Sequence, residues 1–377
     1  MNSLPAVALV ALMSISTAIS QIRAEEIPFY VGTYTKKEGS KGIYHYKLNV
    51  DSGTVVGGEL AAEVANPTFL ALHPNGKVLF AAIESTGGAV GAFAIKPDGS
   101  LQLLNQQPSR GGGACHVWVD SEGKNVLVAN YGGGSIAALP IGPDGSLREA
   151  AGFVQHTGSS VNPQRQKEPH AHSIYTDANS RFAYVCDLGL DKVLVYKFNP
   201  DTGTLTPNDP SHANVAPGSG PRHLAFDPSG KYAYVINELS NTVTVFLRDA
   251  DAGKLTEIQT LPTLPADFTG NTSTAEIFVH PNGKFVYGSN RGHDSIVVYA
   301  IDQNTGKLTL VEYVSTQGKV PRNFALDPSG RFLLAANQQT NDVFVFRVDA
   351  STGKLTPTGH SFKCGAPVSI QFVGSAK

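Results

Sequence analysis

The chain has 377 residues, of which 29 are Lys or Arg and 31 are Asp or Glu, so its net charge is −2. With this balance and a pI near 6.6, no basic excess favours nucleic acid or an anionic membrane as a partner. Three cysteines in a chain of this length exclude a disulfide-stabilised scaffold. The 39 glycines and 23 prolines recur at fixed positions between apolar runs, which excludes a disordered chain.

Residues 1–24 are predicted to be a cleaved signal peptide. The run "LPAVALVALMSISTAIS" is apolar and ends in a small-x-small site at Ala18 to Ser20. It is short for a membrane span and is interrupted by Ser and Thr residues. We therefore expect a periplasmic or secreted protein, or a cytoplasmic one if the run is not a signal.

The rest of the chain repeats one pattern of four strands. Each complete copy has a strand, a Pro-x-Gly turn, a strand, a polar loop, a strand, a Gly-Lys-Leu turn and a fourth strand, as in "GPRHLAFDPSGKYAYVINELSNTVTVFLRDADAGKLTEIQT". The turn glycine recurs about every 50 residues. The longer interval from Gly123 to Gly230 holds one copy with Ser180 in place of glycine. Aromatic and β-branched residues at two-residue spacing favour strands over helices.

The first copy lacks its innermost strand. "FYVGTY" and "GIYHYKLN" match the second and third strands, and "PVSIQFVG" at residues 367–374 can supply the missing one. We therefore predict an all-β fold, a seven-bladed β-propeller with four-stranded antiparallel blades. The C-terminal strand would join the N-terminal blade, close the ring and remove open sheet edges. A closed ring of repeats counts as one domain, here residues 25–377, and we expect a monomer.

Two residue patterns suggest chemistry but are better explained otherwise. Cys115 begins an inner strand, where a nucleophilic thiol is conceivable, yet packing is the favoured interpretation. His170 and His172 alternate on one strand and could present two ligands to a metal ion. No third ligand follows nearby, so we expect no metal and no cofactor.

The central channel of a propeller is the expected place for a small-molecule site. It is surrounded by the starts of the first strands and the ends of the second strands. At those positions this chain carries many polar side chains, namely His116, Asn130, Tyr131, His170, His172, Arg222, His223, Asn237, Glu238, Glu276, Asn290, Arg291, Arg322, Asn323, Asn337 and Gln338. Arginine binds phosphate or carboxylate through two parallel hydrogen bonds, so the set predicts an anion site. For any single member, strand capping or binding of channel water is the alternative.

The segments "HAHSIYTDANSRFAYVCDLGLDKVLVY", "GPRHLAFDPSGKYAYVINELSNTVTVF", "AEIFVHPNGKFVYGSNRGHDSIVVY" and "PRNFALDPSGRFLLAANQQTNDVFVF" resemble the propeller-type 6-phosphogluconolactonase (cycloisomerase-2) family. That family includes the fungal 3-carboxy-cis,cis-muconate lactonizing enzyme. The likeness extends from about Pro28 to Val373 and implies a seven-bladed propeller.

The resemblance also implies site residues. The implied catalytic set is His172, Arg222, Glu238 and Arg291, and the expected substrate contacts are His170, His223, Asn237, Glu276 and Arg322. The family's familiar substrate is a phosphorylated sugar lactone of the cytosol, so the export signal is a departure from that pattern.

Three functions stay open at this point. The first is hydrolysis of a sugar-acid lactone, with Glu238 or His172 as general base and with Arg222 and Arg291 binding the anion. The second is an exported propeller without catalytic activity that binds a partner at its mouth. The third is a lactonizing cycloisomerase that uses the same residues. The expected ligand of the first is a small anionic lactone or sugar acid.

Overall fold

The computed structural model describes residues 25–35 and 39–374, and within them the regular secondary structure consists of β-strands joined by turns and loops. The first eleven strands are β1 (Glu26–Thr33), β2 (Gly42–Asn49), β3 (Val55–Glu63), β4 (Pro67–Leu72), β5 (Val78–Ile83), β6 (Ala89–Ile95), β7 (Leu101–Pro108), β8 (Ala114–Val119), β9 (Asn125–Asn130), β10 (Ser135–Pro140) and β11 (Gly152–Gln155). The next eight are β12 (Ala171–Thr176), β13 (Phe182–Asp187), β14 (Lys192–Asn199), β15 (Thr204–Asn214), β16 (Pro221–Phe226), β17 (Tyr232–Asn237), β18 (Thr242–Arg248) and β19 (Leu255–Pro262). The last nine are β20 (Ser273–Val279), β21 (Phe285–Arg291), β22 (Ser295–Ile301), β23 (Leu308–Ser315), β24 (Pro321–Leu326), β25 (Phe332–Asn337), β26 (Asp342–Val348), β27 (Leu355–Lys363) and β28 (Pro367–Phe372).

The strands form seven four-stranded antiparallel sheets, and each sheet is one blade. Blade 1 has the order β28-β1-β2-β3, and blades 2 to 7 each take four consecutive strands, from β4–β7 to β24–β27. Strand β28 pairs with β1, with Ile370 opposite Val31. The predicted seven-bladed propeller and its closure by the C-terminal strand are both confirmed.

The core lies between neighbouring blades. Between blades 2 and 3, for example, Phe80 packs with Val117 and Val128. The second strand of five blades is buried at every position, because both faces of a blade are covered by its neighbours. Only the outermost strands, such as β7, expose many of their side chains.

A β-bulge at the start of the innermost strand recurs around the ring. In blade 5 the pairing shifts between Pro221 and His223, which leaves Arg222 as the extra residue. The same shift in blade 4 makes His172 the extra residue. A bulge turns a side chain away from the regular alternation of the strand, so it can direct these side chains towards the axis.

The predicted leader, residues 1–24, lies outside the described residues. Within the described part of the chain, no helix is long and apolar enough to cross a membrane. The three cysteines, Cys115, Cys186 and Cys364, are buried free thiols.

Candidate active site

The four residues of the implied catalytic set lie together. His172 and Arg222 occupy the bulges of blades 4 and 5, Glu238 follows the second strand of blade 5, and Arg291 ends the second strand of blade 6. Arg222 Nε donates to Glu238 Oε2 at 3.1 Å, and Arg291 Nη2 lies 3.1 Å from the same oxygen. His172 Nε2 is 4.0 Å from it. Three adjacent blades therefore bring one imidazole, one carboxylate and two guanidinium groups into contact.

A third guanidinium completes this group, and the sequence did not predict it. Arg165 Nη2 donates to Glu238 Oε1 at 2.8 Å and to the Tyr131 hydroxyl at 3.0 Å. Arg165 lies on the loop between β11 and β12, which is fixed at one end by the buried contact of His156 Nδ1 with Asp187 Oδ2 at 2.6 Å. We call Arg165, Arg222 and Arg291, with Glu238 and His172, the arginine cluster. Arg165 was missed because its loop is longer than the other connections between described blades and does not follow the repeat.

The arginines determine the protonation state of Glu238. Burial raises the pKa of this carboxyl, but Arg291, Arg222 and Arg165 outweigh burial and lower the pKa to about 2. Glu238 is therefore ionised at neutral pH and is a weak proton acceptor. Burial lowers the pKa of Arg291 to about 9, which leaves its guanidinium charged at pH 7.

His172 is in the opposite situation. Burial and the neighbouring Arg222 guanidinium hold the pKa of His172 well below its usual range, so the imidazole is neutral at pH 7. Its Nε2 faces Glu238 at a distance too long for a direct hydrogen bond. A neutral imidazole of this kind can accept a proton from a bound water molecule.

The surroundings carry an excess of positive charge. Arg322 lies over the ring of Tyr34 at 5.5 Å, and the Tyr34 hydroxyl donates to Glu84 Oε2 at 2.7 Å. The three clustered arginines and Arg322 contribute +4, and Glu84 and Glu238 contribute −2, so the formal sum is +2 when the nearby Glu276 is protonated and +1 when it is ionised. This balance fits the predicted anion site.

The predicted substrate contacts lie at three different depths. His170 is half-buried at the outer end, where its ring stacks on Tyr131 with 4.5 Å between ring centres. Arg322 occupies a bulge at the same level as Arg222. His223 and Glu276 lie one residue further along their strands and are almost fully buried, at 2% and 3% exposed.

The side chain of Asn237 makes its hydrogen bonds within its own blade. Its amide donates to the Thr242 and Thr244 hydroxyls of the next strand at 2.9 and 3.0 Å, so it is turned into its own blade. Asn130 and Asn290 donate to serine hydroxyls in the same way. The asparagine at the end of the second strand therefore joins strands within blades 3, 5 and 6.

The two other chemical possibilities find little support. Burial raises the pKa of the Cys115 thiol to about 12, which leaves almost no thiolate to act as a nucleophile. His170 Nδ1 contacts the Tyr131 carbonyl at 2.9 Å, whereas His172 faces Glu238. Among the described residues, no group of three His, Cys, Asp or Glu side chains could hold a metal ion.

Comparison with known proteins identifies the family. The model of the lactonase family of seven-bladed β-propellers matches residues 28–372. The 6-phosphogluconolactonase of Bacillus subtilis is 42% identical over 300 residues, which cover 79% of this chain and 84% of the relative. That of Formosa agariphila is 36% identical over 309 residues, covering 79% and 86%.

A solved structure agrees with these relatives. The periplasmic gluconolactonase of Pseudomonas aeruginosa superposes with a TM-score of 0.88 at 34% identity, covering 93% of this chain and 100% of the other. The resemblance noted in the sequence is thus confirmed over nearly the whole propeller. The chain belongs to the lactonase family of seven-bladed β-propellers.

Proposed function

We propose that this protein is an enzyme that hydrolyses a gluconate-type sugar lactone, and that the arginine cluster is its reaction site. One observation carries the proposal. Three guanidinium groups from separate segments contact the Glu238 carboxylate, and the neutral, buried imidazole of His172 lies 4.0 Å from the same carboxylate. Such a group combines anion binding with a proton acceptor, which are the two requirements of lactone opening.

His172 is the better of the two general bases that the sequence left open. Its imidazole is neutral at pH 7 and lies too far from Glu238 for a direct hydrogen bond, whereas both Glu238 oxygens are held by arginines. In the proposed step a water molecule attacks the lactone carbonyl carbon and gives a proton to His172 Nε2. The ring C–O bond then breaks, and the ring oxygen takes that proton from the imidazolium. Glu238, 4.0 Å away, stabilises the imidazolium and holds the arginines in place.

The arginines supply the electrostatic part of the reaction. Arg222 and Arg291 are placed to stabilise the negative charge that forms on the carbonyl oxygen. Arg222 is also held by its Nη1 hydrogen bond to the Ala275 carbonyl at 2.6 Å, so little reorganisation is needed during the reaction. In this proposal Arg322, His170 and His223 orient the substrate.

The substrate class is a six-carbon sugar lactone with or without a phosphate. The net positive formal charge favours an anionic substrate, and the B. subtilis relative is named for the phosphorylated lactone. The P. aeruginosa neighbour is a periplasmic gluconolactonase, which fits the predicted signal peptide. We propose that this chain also acts in the periplasm.

A substrate panel tests the proposal. Purified protein is given 6-phosphoglucono-δ-lactone, glucono-δ-lactone or 3-carboxymuconate, and acid release is followed by pH-stat, with ultraviolet absorbance for the diene. We expect faster acid release than in buffer with at least one lactone, and a loss of this acceleration in His172→Gln. If no lactone is hydrolysed faster than in buffer, the proposal fails. A loss of diene absorbance alone would indicate a cycloisomerase, and no reaction at all would favour a binding protein.

A further inference from the structure

Beneath the arginine cluster lies a second group of buried polar side chains, which we call the floor. Each member follows directly after the bulge residue of its innermost strand. The members are His116, His223, Glu276 and Asn323. None is more than 3% exposed. Burying polar groups to this extent costs folding free energy unless they are hydrogen-bonded, so their partners show what the floor can do.

Glu276 is held from three sides. His223 Nδ1 lies 2.7 Å from Oε1, the Ile277 backbone NH donates to the same oxygen at 3.0 Å, and Asn323 Nδ2 donates to Oε2 at 2.7 Å. Asn323 is fixed in turn, because its Oδ1 accepts from the Ile370 backbone NH at 2.9 Å. The carboxyl group therefore orients the His223 ring, as a carboxylate orients the imidazole in proton-transfer sites.

The other nitrogen of His223 is free to act. Nε2 is buried and has no hydrogen-bond partner among the described residues. His223 lines a cavity of about 10 Å³ together with Arg222, Arg322, Cys115 and Glu276. A polar cavity of roughly that volume accommodates one water molecule. Because Arg222 and Arg322 belong to the upper level and Glu276 to the floor, such a water would connect the two levels.

The His223–Glu276 pair can hold one proton near neutral pH. Burial raises the pKa of Glu276 to about 7, against the opposing effect of Arg222. Burial and Arg222 hold the pKa of His223 well below its usual range. The ionisable groups that face the pair are Cys115 and His116 on β8, His172 and Tyr175 on β12, Arg222 on β16, Glu238 after β17, Arg291 on β21 and Arg322 on β24. The cations among them favour loss of that proton, and burial favours keeping it.

We propose that the cavity lined by His223, Arg222 and Arg322 binds one water molecule, and that this water passes the proton of the product acid to the His223–Glu276 pair. The inference rests on the proposed lactone hydrolysis. In that reaction His172 returns the proton that it took, so the immediate product is a neutral carboxylic acid. Ionisation of this acid breaks its O–H bond, and the proton moves through the water to the His223–Glu276 pair. The product is left as a carboxylate beside the arginines, and His223 and Glu276 serve as proton-accepting residues below the reaction site.

Proton uptake on product binding tests this proposal. Titration calorimetry with 6-phosphogluconate at pH 8, in Tris and in HEPES, gives the number of protons taken up from the heat of buffer ionisation. At this pH the pair of the free protein is mostly deprotonated. We expect the wild type to take up about one proton per bound acid, because the state with product bound holds a protonated pair. Glu276→Gln should take up almost none, and His172→Gln should match the wild type.

Several outcomes separate the possibilities. Equal uptake by the wild type and Glu276→Gln would overturn the proposal, and loss of uptake in His172→Gln alone would place the proton on His172 instead. If Glu276→Gln does not fold by circular dichroism, Glu276→Met gives the same test, because it also removes the carboxyl and leaves a side chain of similar length; it should likewise take up almost no proton. Lactone hydrolysis by the wild type is measured in the same preparation. If hydrolysis is absent, the proposed function fails, and if it is present without differential uptake, only the proton acceptor fails.

Discussion

Replacing Glu238 with glutamine should destabilise the protein strongly at neutral pH and much less in acid. Glu238 is 5% exposed, and its pKa is lowered from 4.5 to about 2 by the surrounding arginines. A difference of this size corresponds to ~3 kcal/mol of stability. Glutamine has the shape of the protonated acid, so Glu238→Gln should lose this contribution. The loss falls within the range of about 3–5 kcal/mol for breaking a buried ion pair.

The pH dependence gives the sharper test. The pKa of Glu238 is lower in the folded state, so its stabilisation is complete above pH 4.5 and is lost as the pH falls towards 2. Urea unfolding should show that Glu238→Gln is ~3 kcal/mol less stable than the wild type at pH 7, and only roughly 1 kcal/mol less stable at pH 3. Glu149→Gln, at an exposed glutamate, is the matched control and should unfold like the wild type at both values.

Two results would refute this reasoning. One is equal stability of Glu238→Gln and the wild type at pH 7, which would mean that the three arginines do not depend on this carboxylate. The other is an equal loss at pH 3 and pH 7, which would assign the loss to packing instead of charge. Added phosphate should also stabilise Glu238→Gln more than the wild type, because an anion bound only by the folded protein offsets the missing charge.

Three further predictions concern the same region. His172→Gln should lower kcat by about 10²–10⁴-fold with little change in secondary structure, whereas His212→Gln should have no effect. In Glu276→Gln, which lacks the other group that titrates near pH 7, kcat/KM should stay constant from pH 8 down to about 6 because the pKa of His172 is lowered; a fall in activity of this variant centred at the usual histidine pKa would contradict this. Arg165→Ala should raise the KM for a phosphorylated lactone several-fold more than the KM for the unphosphorylated one, because the half-exposed Arg165 guanidinium is the outermost cation of the arginine cluster. Arg347→Ala, at an exposed arginine, should raise neither KM. Cys115, with a pKa of about 12, should not react with a thiol reagent in the native protein, and reaction without denaturant would show that the cavity opens.

The repeat made most of the fold predictable from the sequence. Turn glycines at regular spacing identify the blades, and the missing strand of the first copy points to the C-terminus. The one copy without glycine keeps the same backbone, since Ser180 adopts a positive φ of 51°. Its hydroxyl contacts the Ser121 hydroxyl of blade 3 at 2.8 Å, so the side chain that replaces glycine is held by the neighbouring blade.

The interior of the channel was less predictable, because bulges break the alternation that sequence patterns rely on. Adjacent residues of a regular strand point to opposite faces, so alternation alone does not explain how Arg222 and His223, both expected at the channel, can lie near the axis. The bulge between Pro221 and His223 places the first at the level of the arginine cluster and the second in the floor. Arg165 was not predicted, since a loop outside the repeat has no period to reveal where it lies.

The seven bulges also explain how a fold with seven similar blades has an uneven distribution of charge around its channel. The same backbone position carries Thr68, Cys115, His172, Arg222, Ala275, Arg322 and Val368 in successive blades. Arg222 and Arg322 therefore approach the axis from the bulges of blades 5 and 7, and Arg291 approaches from the end of the second strand of blade 6. Uncharged Val368 and Thr68 approach from blades 1 and 2. A substrate with one anionic group should be oriented across the channel, with its charge towards blades 5 to 7. Because only side chains differ between blades, this orientation can be altered at one bulge without disturbing the packing of the sheets.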